Sequence, residues 1–137
     1  GRLAAGDYPA AVRAAEAAVA ADSLLTAAYV VLGHARSTLG QDGAAVEPLR
    51  KAVYLDPAEG HAHFLLAGAL ARLGQHASAS VSYRAAAQAV TAMPSERAAA
   101  LMAGRDAVEL AELCERLADQ SARRAGRVAA WTPGGGA

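Results

Sequence analysis

Asparagine is absent from this chain of 137 residues; cysteine, phenylalanine and tryptophan occur once each, at Cys114, Phe64 and Trp131. A single cysteine rules out an internal disulfide and suits a reducing cytoplasm. Aromatics make up only 4% of the residues, so no core built on large rings is expected. Charge of one sign is also lacking, because 13 Lys and Arg balance 13 Asp and Glu. A neutral chain without a basic stripe argues against nucleic acid as a partner. There is no apolar run of about 18 residues to span a bilayer and no secretory signal pattern. Alternating Val/Ile/Thr stretches are missing, which argues against a sheet. Without strands there is no setting for a Gly-rich phosphate loop.

What is abundant is alanine, 40 of the 137 residues. Alanine is the best helix former and removes little area from water. The chain should therefore be helical, with closely spaced helices and a core shared between neighbouring units. The stretch Ala27–Gly60 reads as two amphipathic helices joined at Gly40 and closed by Asp56-Pro57. Tyr29, Leu32 and Gly33 share a face of the first helix; Ala45, Leu49 and Ala52 share a face of the second. Gly6, Gly40 and Gly74 recur every 34 residues. Aligned on them, small residues stack in columns: Ala11, Ala45 and Ala79, then Ala18, Ala52 and Ala86. Between these columns stand Ala15, Leu49 and Tyr83. Small positions let helices cross closely, and the larger middle residue fills the groove between pairs.

These columns and this period resemble the tetratricopeptide repeat. Tyr29, Leu32, Gly33, Ala45, Leu49, Ala52 and Pro57 match its pattern in kind. Arg36 departs from the usual Tyr. In the next copy Leu66, Ala67, Ala79, Tyr83 and Ala86 match, whereas His63 and Leu70 fit loosely. The expected proline is displaced to Pro94, which predicts a longer second helix. The resemblance implies an all-α helix-turn-helix solenoid over residues 1–94, with a partial repeat at 1–25 and repeats at 26–59 and 60–94. Ser23 is the expected N-cap of the helix that follows it. Residues 95–120 read as the C-terminal capping helix or helices, starting at Ser95-Glu96 and carrying the stripe Leu110, Leu113, Cys114 and Leu117. Residues 121–137 read as a flexible basic and Gly-rich tail, with Trp131 as a candidate anchor in a groove. The chain opens without Met inside an expected helix, so a longer parent protein is expected.

Repeat arrays of this kind bind through the concave surface lined by their first helices. The residues expected there are Val30, Val31, His34, Ser37 and Thr38, then His61, Phe64, Leu65, Gly68 and Arg72. The blander reading of Val31 and Leu65 is plain core. An apolar lining with a few donors and one fixed cation, Arg72, suits a peptide or a helix. Family members that clamp a C-terminal carboxylate use Lys and Asn at sites that here carry Val30, His34 and Leu65, so that mode is disfavoured. His61 and His63 point about 200° apart on a helix, which disfavours a shared metal ion. Cys114 on an apolar stripe is a poor nucleophile. No catalytic residue, metal site or cofactor is therefore expected in this chain.

A second likeness covers Pro48–Val90. "LR.A.YLDP…AH..L…..G….A…Y..A" is similar to the repeat tails of bacterial chemoreceptor methyltransferases, as are Met93-Pro94 and Ala103-Gly104-Arg105 with Glu109-Leu110. It implies a parent that methylates receptor glutamates, with S-adenosylmethionine bound by a separate catalytic domain. The tail would dock a chemoreceptor, a coupling protein or its own catalytic domain. A free-standing repeat scaffold with an unrelated protein partner is the alternative, and an enzyme using His34 or His61 is the competitor of a different class.

Overall fold

The computed structural model describes residues 6–92 and 107–130, and every regular element among them is an α-helix. The order is α1 (Tyr8–Ala21), α2 (Thr26–Thr38), α3 (Asp42–Leu55), α4 (Gly60–Arg72), α5 (His76–Ala92) and α6 (Ala107–Ala130). Helices α2 with α3, and α4 with α5, form two hairpins; α1 packs on α2 at one end and α6 on α5 at the other.

The repeated turns have a common cause. Gly40 and Gly74 both sit at φ +80°, a region where a side chain would clash with the backbone. Each follows the C-cap residue of a helix, Leu39 after α2 and Leu73 after α4. Gly40 N–H donates to the Ser37 carbonyl at 3.0 Å and Gln41 N–H to Arg36 at 2.8 Å; Gly74 and Gln75 repeat this with Ala71 and Leu70. This paired termination satisfies carbonyls that a helix end leaves open and fixes the angle of the next helix. Helix α1 is capped by Asp7, whose carboxylate accepts from Ala10 N–H at 3.1 Å. Ser23 does not cap α2. Leu25 occupies that position with no side-chain bond, because Asp22 is engaged by Leu24 N–H and the Ser23 carbonyl accepts the Tyr29 hydroxyl.

The core is thin and continuous. Ala45, Leu49, Leu66, Ala67, Leu70, Ala79, Tyr83 and Ala118 form one cluster that crosses α3, α4, α5 and α6. Leu49 is fully buried, and a methyl group added at Gly33 would overlap its Cγ and Cδ2. The α2–α3 contact is therefore a leucine seated in a glycine notch. At the far end Ser80 donates to the Ala118 carbonyl at 2.9 Å, and Arg84 reaches Glu115 and Asp119 on α6 at 3.4 and 3.2 Å.

Pro48 lies inside α3 and cannot donate to the carbonyl four residues earlier. That carbonyl, of Ala44, accepts instead from Arg36 Nη1 at 3.0 Å, while Arg36 Nη2 lies 3.8 Å from Glu16 on α1. Arginine at a site where the repeat favours tyrosine is thus explained by the proline opposite it.

The other expectations fall as follows. Helix α5 has 17 residues against 14 in α3, as the displaced Pro94 implies. The C-terminal helix does not stop at 120. It runs to Ala130 with Ser121 buried, so residues 121–130 are helix where a tail was expected. Alanine and arginine favour that continuation. The start expected at Ser95-Glu96, like Trp131, lies outside the described residues.

Two tests follow from the packing. Leu49→Ala should cost about 2–5 kcal/mol and Gly33→Ala about 1–3 in urea unfolding. The double variant should lose less than the sum, because the smaller residue 49 makes room at the notch. Arg36→Leu should cost about 0.5–1.5 kcal/mol by removing the hydrogen bond to the Ala44 carbonyl, and less in a Pro48→Ala background.

Candidate functional site

A groove of about 760 Å³ opens where the N-terminal halves of α2, α4 and α6 meet the C-terminal half of α5. Its walls are apolar: Val30 and Val31 from α2, Phe64 and Leu65 from α4, Val90 from α5, and Leu113 from α6. Phe64 is half-buried and meets Tyr83 edge to face at 5.9 Å. It thereby joins the groove to the main core. Cys114 is buried at the α6 side of the groove; burial, then the neighbouring Glu115, push its thiol pKa up. A neutral, enclosed thiol is a weak nucleophile.

The polar rim lies at one end. Asp56 and Glu59, in the α3–α4 turn, line the groove together with His61 and Thr26. Asp56 accepts from Ala58 N–H at 3.2 Å and Glu59 from His61 N–H at 3.3 Å. His61 is exposed at its edge, and its ring meets His34 edge-on at 6.1 Å; His34 in turn meets Tyr8 of α1 at 6.4 Å. This chain of rings carries the concave face from α1 to the groove mouth. Desolvation by the packed walls, and next the nearby His34, lower the His61 pKa, with Glu59 opposing.

Of the expected lining residues, Val30, Val31, His61, Phe64 and Leu65 come together in the groove. His34 adjoins it through His61. Ser37, Thr38, Gly68 and Arg72 do not line it. Thr38 is exposed and its hydroxyl donates to the His34 carbonyl of its own helix at 2.9 Å. Ser37 donates to Asp42 at 2.7 Å, and Arg72 donates to both, at 3.0 Å to Asp42 and 2.7 Å to Ser37. The guanidinium expected as the fixed cation of the binding surface instead ties the end of α4 to the α2–α3 turn. Asp42, largely buried at 15% side-chain exposure, draws it there.

The groove also contains residues that sequence reasoning did not assign to it. Leu110 and Leu113 were visible only as apolar stripe positions and Asp56 only as part of the pair that closes a repeat; Val90 and Glu59 carried no reading of their own. No lining residue among those described is Lys or Arg, so the site is apolar with a negative rim. No group of three or more His, Cys, Asp or Glu gathers in metal-binding geometry among the described residues. His63 points away from His61, and its Nε2 lies 2.8 Å from the Pro57 carbonyl. No helix among the described residues is long and apolar enough to cross a membrane.

The sequence pattern of the bacterial transcriptional activator domain matches residues 2–108, more than half of the chain. The chain belongs to the bacterial transcriptional activator domain family. The match ends at the start of α6, so this activator-domain chain draws one groove wall from beyond it. No curated protein sequence matches the chain. Solved structures that resemble it include the TPR2B domain of yeast Sti1 in complex with pHsp70. That domain has 23% identity and a TM-score of 0.68, over 87% of this chain and 88% of that one. The Yersinia enterocolitica type III secretion translocator chaperone SycD has 20% identity and a TM-score of 0.65, over 84% and 79%. MamA has 18% identity and a TM-score of 0.59, covering 95% of each chain. These likenesses establish the fold, an all-α tetratricopeptide-like solenoid. None of them extends the likeness to methyltransferase tails, and the matched family is a different one.

The histidine at the groove mouth yields a pH test. Because folding lowers the His61 pKa, the unfolded chain takes up this proton first as pH falls. The contribution of neutral His61 is present above about pH 6.5 and is lost progressively below it. The melting temperature should drop between about pH 7.5 and 5.5, and His61→Gln should flatten that dependence. An unchanged slope in the variant would remove His61 as its source.

Proposed function

We propose that this chain is a non-catalytic regulatory module of a bacterial transcriptional activator, one that takes a protein segment in the groove between α2, α4, α5 and α6. The observation that carries the reading is the groove itself. Its walls come from four helices, its lining is aliphatic and aromatic, and its few polar groups sit at one end. Sites of this make-up favour apolar side chains fixed by a small number of polar contacts. The setting read from the family is transcription, and the mode read from the fold is protein binding. The Sti1 domain that this chain resembles was solved with pHsp70, and SycD is a translocator chaperone.

Two carboxylates and no lining cation make the groove hostile to phosphate, so DNA is not its occupant. Contact with the promoter belongs to other parts of the activator assembly. A chemoreceptor methyltransferase parent rests only on the short strings around Pro48–Val90 and gains no support from the family match. The module itself needs no S-adenosylmethionine or other cofactor.

The direct test is transcription in the native host. Phe64→Asp should abolish the dependence of target transcripts on this gene, reproducing its deletion, while Tyr54→Asp on the exposed surface of α3 should leave them unchanged. Circular dichroism and protein level would establish that both variants fold. Normal transcripts in a folded Phe64→Asp strain would contradict the reading. Calorimetry with S-adenosylmethionine should give no binding heat, and saturable binding would favour an enzyme instead.

A further inference from the structure

We infer that the occupant of the groove is an amphipathic helix of a separate protein, presenting an aliphatic stripe to Val30, Phe64, Leu65 and Leu113 and an arginine or lysine to Asp56. This rests on the groove being the docking surface and goes beyond it in naming the chemistry of what docks.

The backbone argument selects a helix. An extended segment brings a row of N–H and C=O groups that must find partners once buried. The walls here are helices whose main chains are already paired internally, and their inward side chains are almost all apolar. A strand laid on them would bury unpaired groups. A helix satisfies its own backbone and presents side chains alone, in the mode that reads apolar anchors at i, i+3, i+4 and i+7.

The charge argument selects a cationic flank. In a chain with equal numbers of acidic and basic residues, the groove rim carries Asp56 and Glu59, and no lining residue among those described is Lys or Arg. Asp56, the carboxylate the incoming cation would meet, accepts the Ala58 N–H of its own turn. A carboxylate has about four acceptor positions and keeps its full negative charge while making one such bond. An arginine or lysine on the incoming helix complements that charge, whereas a glutamate is repelled.

The reach argument selects a separate molecule over the C-terminal tail. Leu113 lies on the groove and α6 continues as helix to Ala130. Those 17 residues carry the chain about 26 Å along the helix axis. A segment joined to Ala130 would have to double back over that distance to enter this groove, whereas a helix of another protein would not.

Three helix-stapled peptides with an identical leucine stripe, differing only in Lys, Gln or Glu at the flank position, test this by fluorescence anisotropy on the full chain. The lysine peptide should bind about tenfold more tightly than the glutamate peptide at low salt, with the glutamine peptide between. Asp56→Asn, whose amide oxygen can still accept from Ala58 N–H, should collapse that difference to roughly twofold or less. Phe64→Ala should weaken all three about tenfold or more. Equal binding of the three peptides would overturn the cationic preference and leave the groove reading standing. No binding by any of them, or binding indifferent to Phe64→Ala, would take down the groove reading with it. Sedimentation showing a dimer of the chain that Phe64→Ala dissolves would assign the groove to a second copy and overturn the inference.

Discussion

Two helices approach only as closely as the bulkiest side chains between them permit, and that limit governs this molecule. The Gly33 notch admits Leu49, and Ala45, Ala52, Ala79 and Ala86 are fully buried at the neighbouring crossings. With so little volume per contact, no single hairpin encloses a core of its own. Leu49, Leu66, Leu70, Tyr83 and Ala118 join four helices in one layer. Each hairpin is stable only because its neighbour completes it, which is the general condition of stacked repeats.

The same thinness creates the groove. Alanine-rich faces at Ala27 and Ala86 leave room between α2 and α5 that larger residues would have filled. Valine, leucine and the single phenylalanine line that room without closing it. Polar side chains are spent on holding the frame. Arg36 compensates for Pro48, Arg72 and Ser37 gather on Asp42, and Arg84 clips α6. The groove is consequently lined by apolar side chains with Asp56 and Glu59 at its rim, and Arg72 is not among its described lining residues.

What the sequence disclosed depended on how local its cause was. The glycine turns at 40 and 74 and the buried alanine columns follow from a 34-residue period, and the structure repeats them. Half of the expected groove, Val30, Val31, His61, Phe64 and Leu65, was legible because helical spacing places such residues on one face of each helix. The direction of Arg72 was not legible, since its partner Asp42 is 30 residues away. Nor was the role of Arg36, which needs Pro48 facing it across the hairpin. Leu110 and Leu113 were read as a capping stripe. That they also wall a groove depends on α6 packing along α5, which no local pattern encodes. The repeat was legible but the family was not: the likeness to methyltransferase tails gains no support from the family match, and short strings such as Tyr54-Leu55-Asp56-Pro57 report the helix end they build more than the protein that carries them.

Amide hydrogen exchange on Leu49→Ala, followed residue by residue, tests the shared core most directly. If neighbouring hairpins complete one another, protection should fall together in α2, α3, α4 and α5, with the α6 residues that pack on them weakened as well. Loss confined to α3, with α4 and α5 exchanging as slowly as in the unsubstituted chain, would contradict the account.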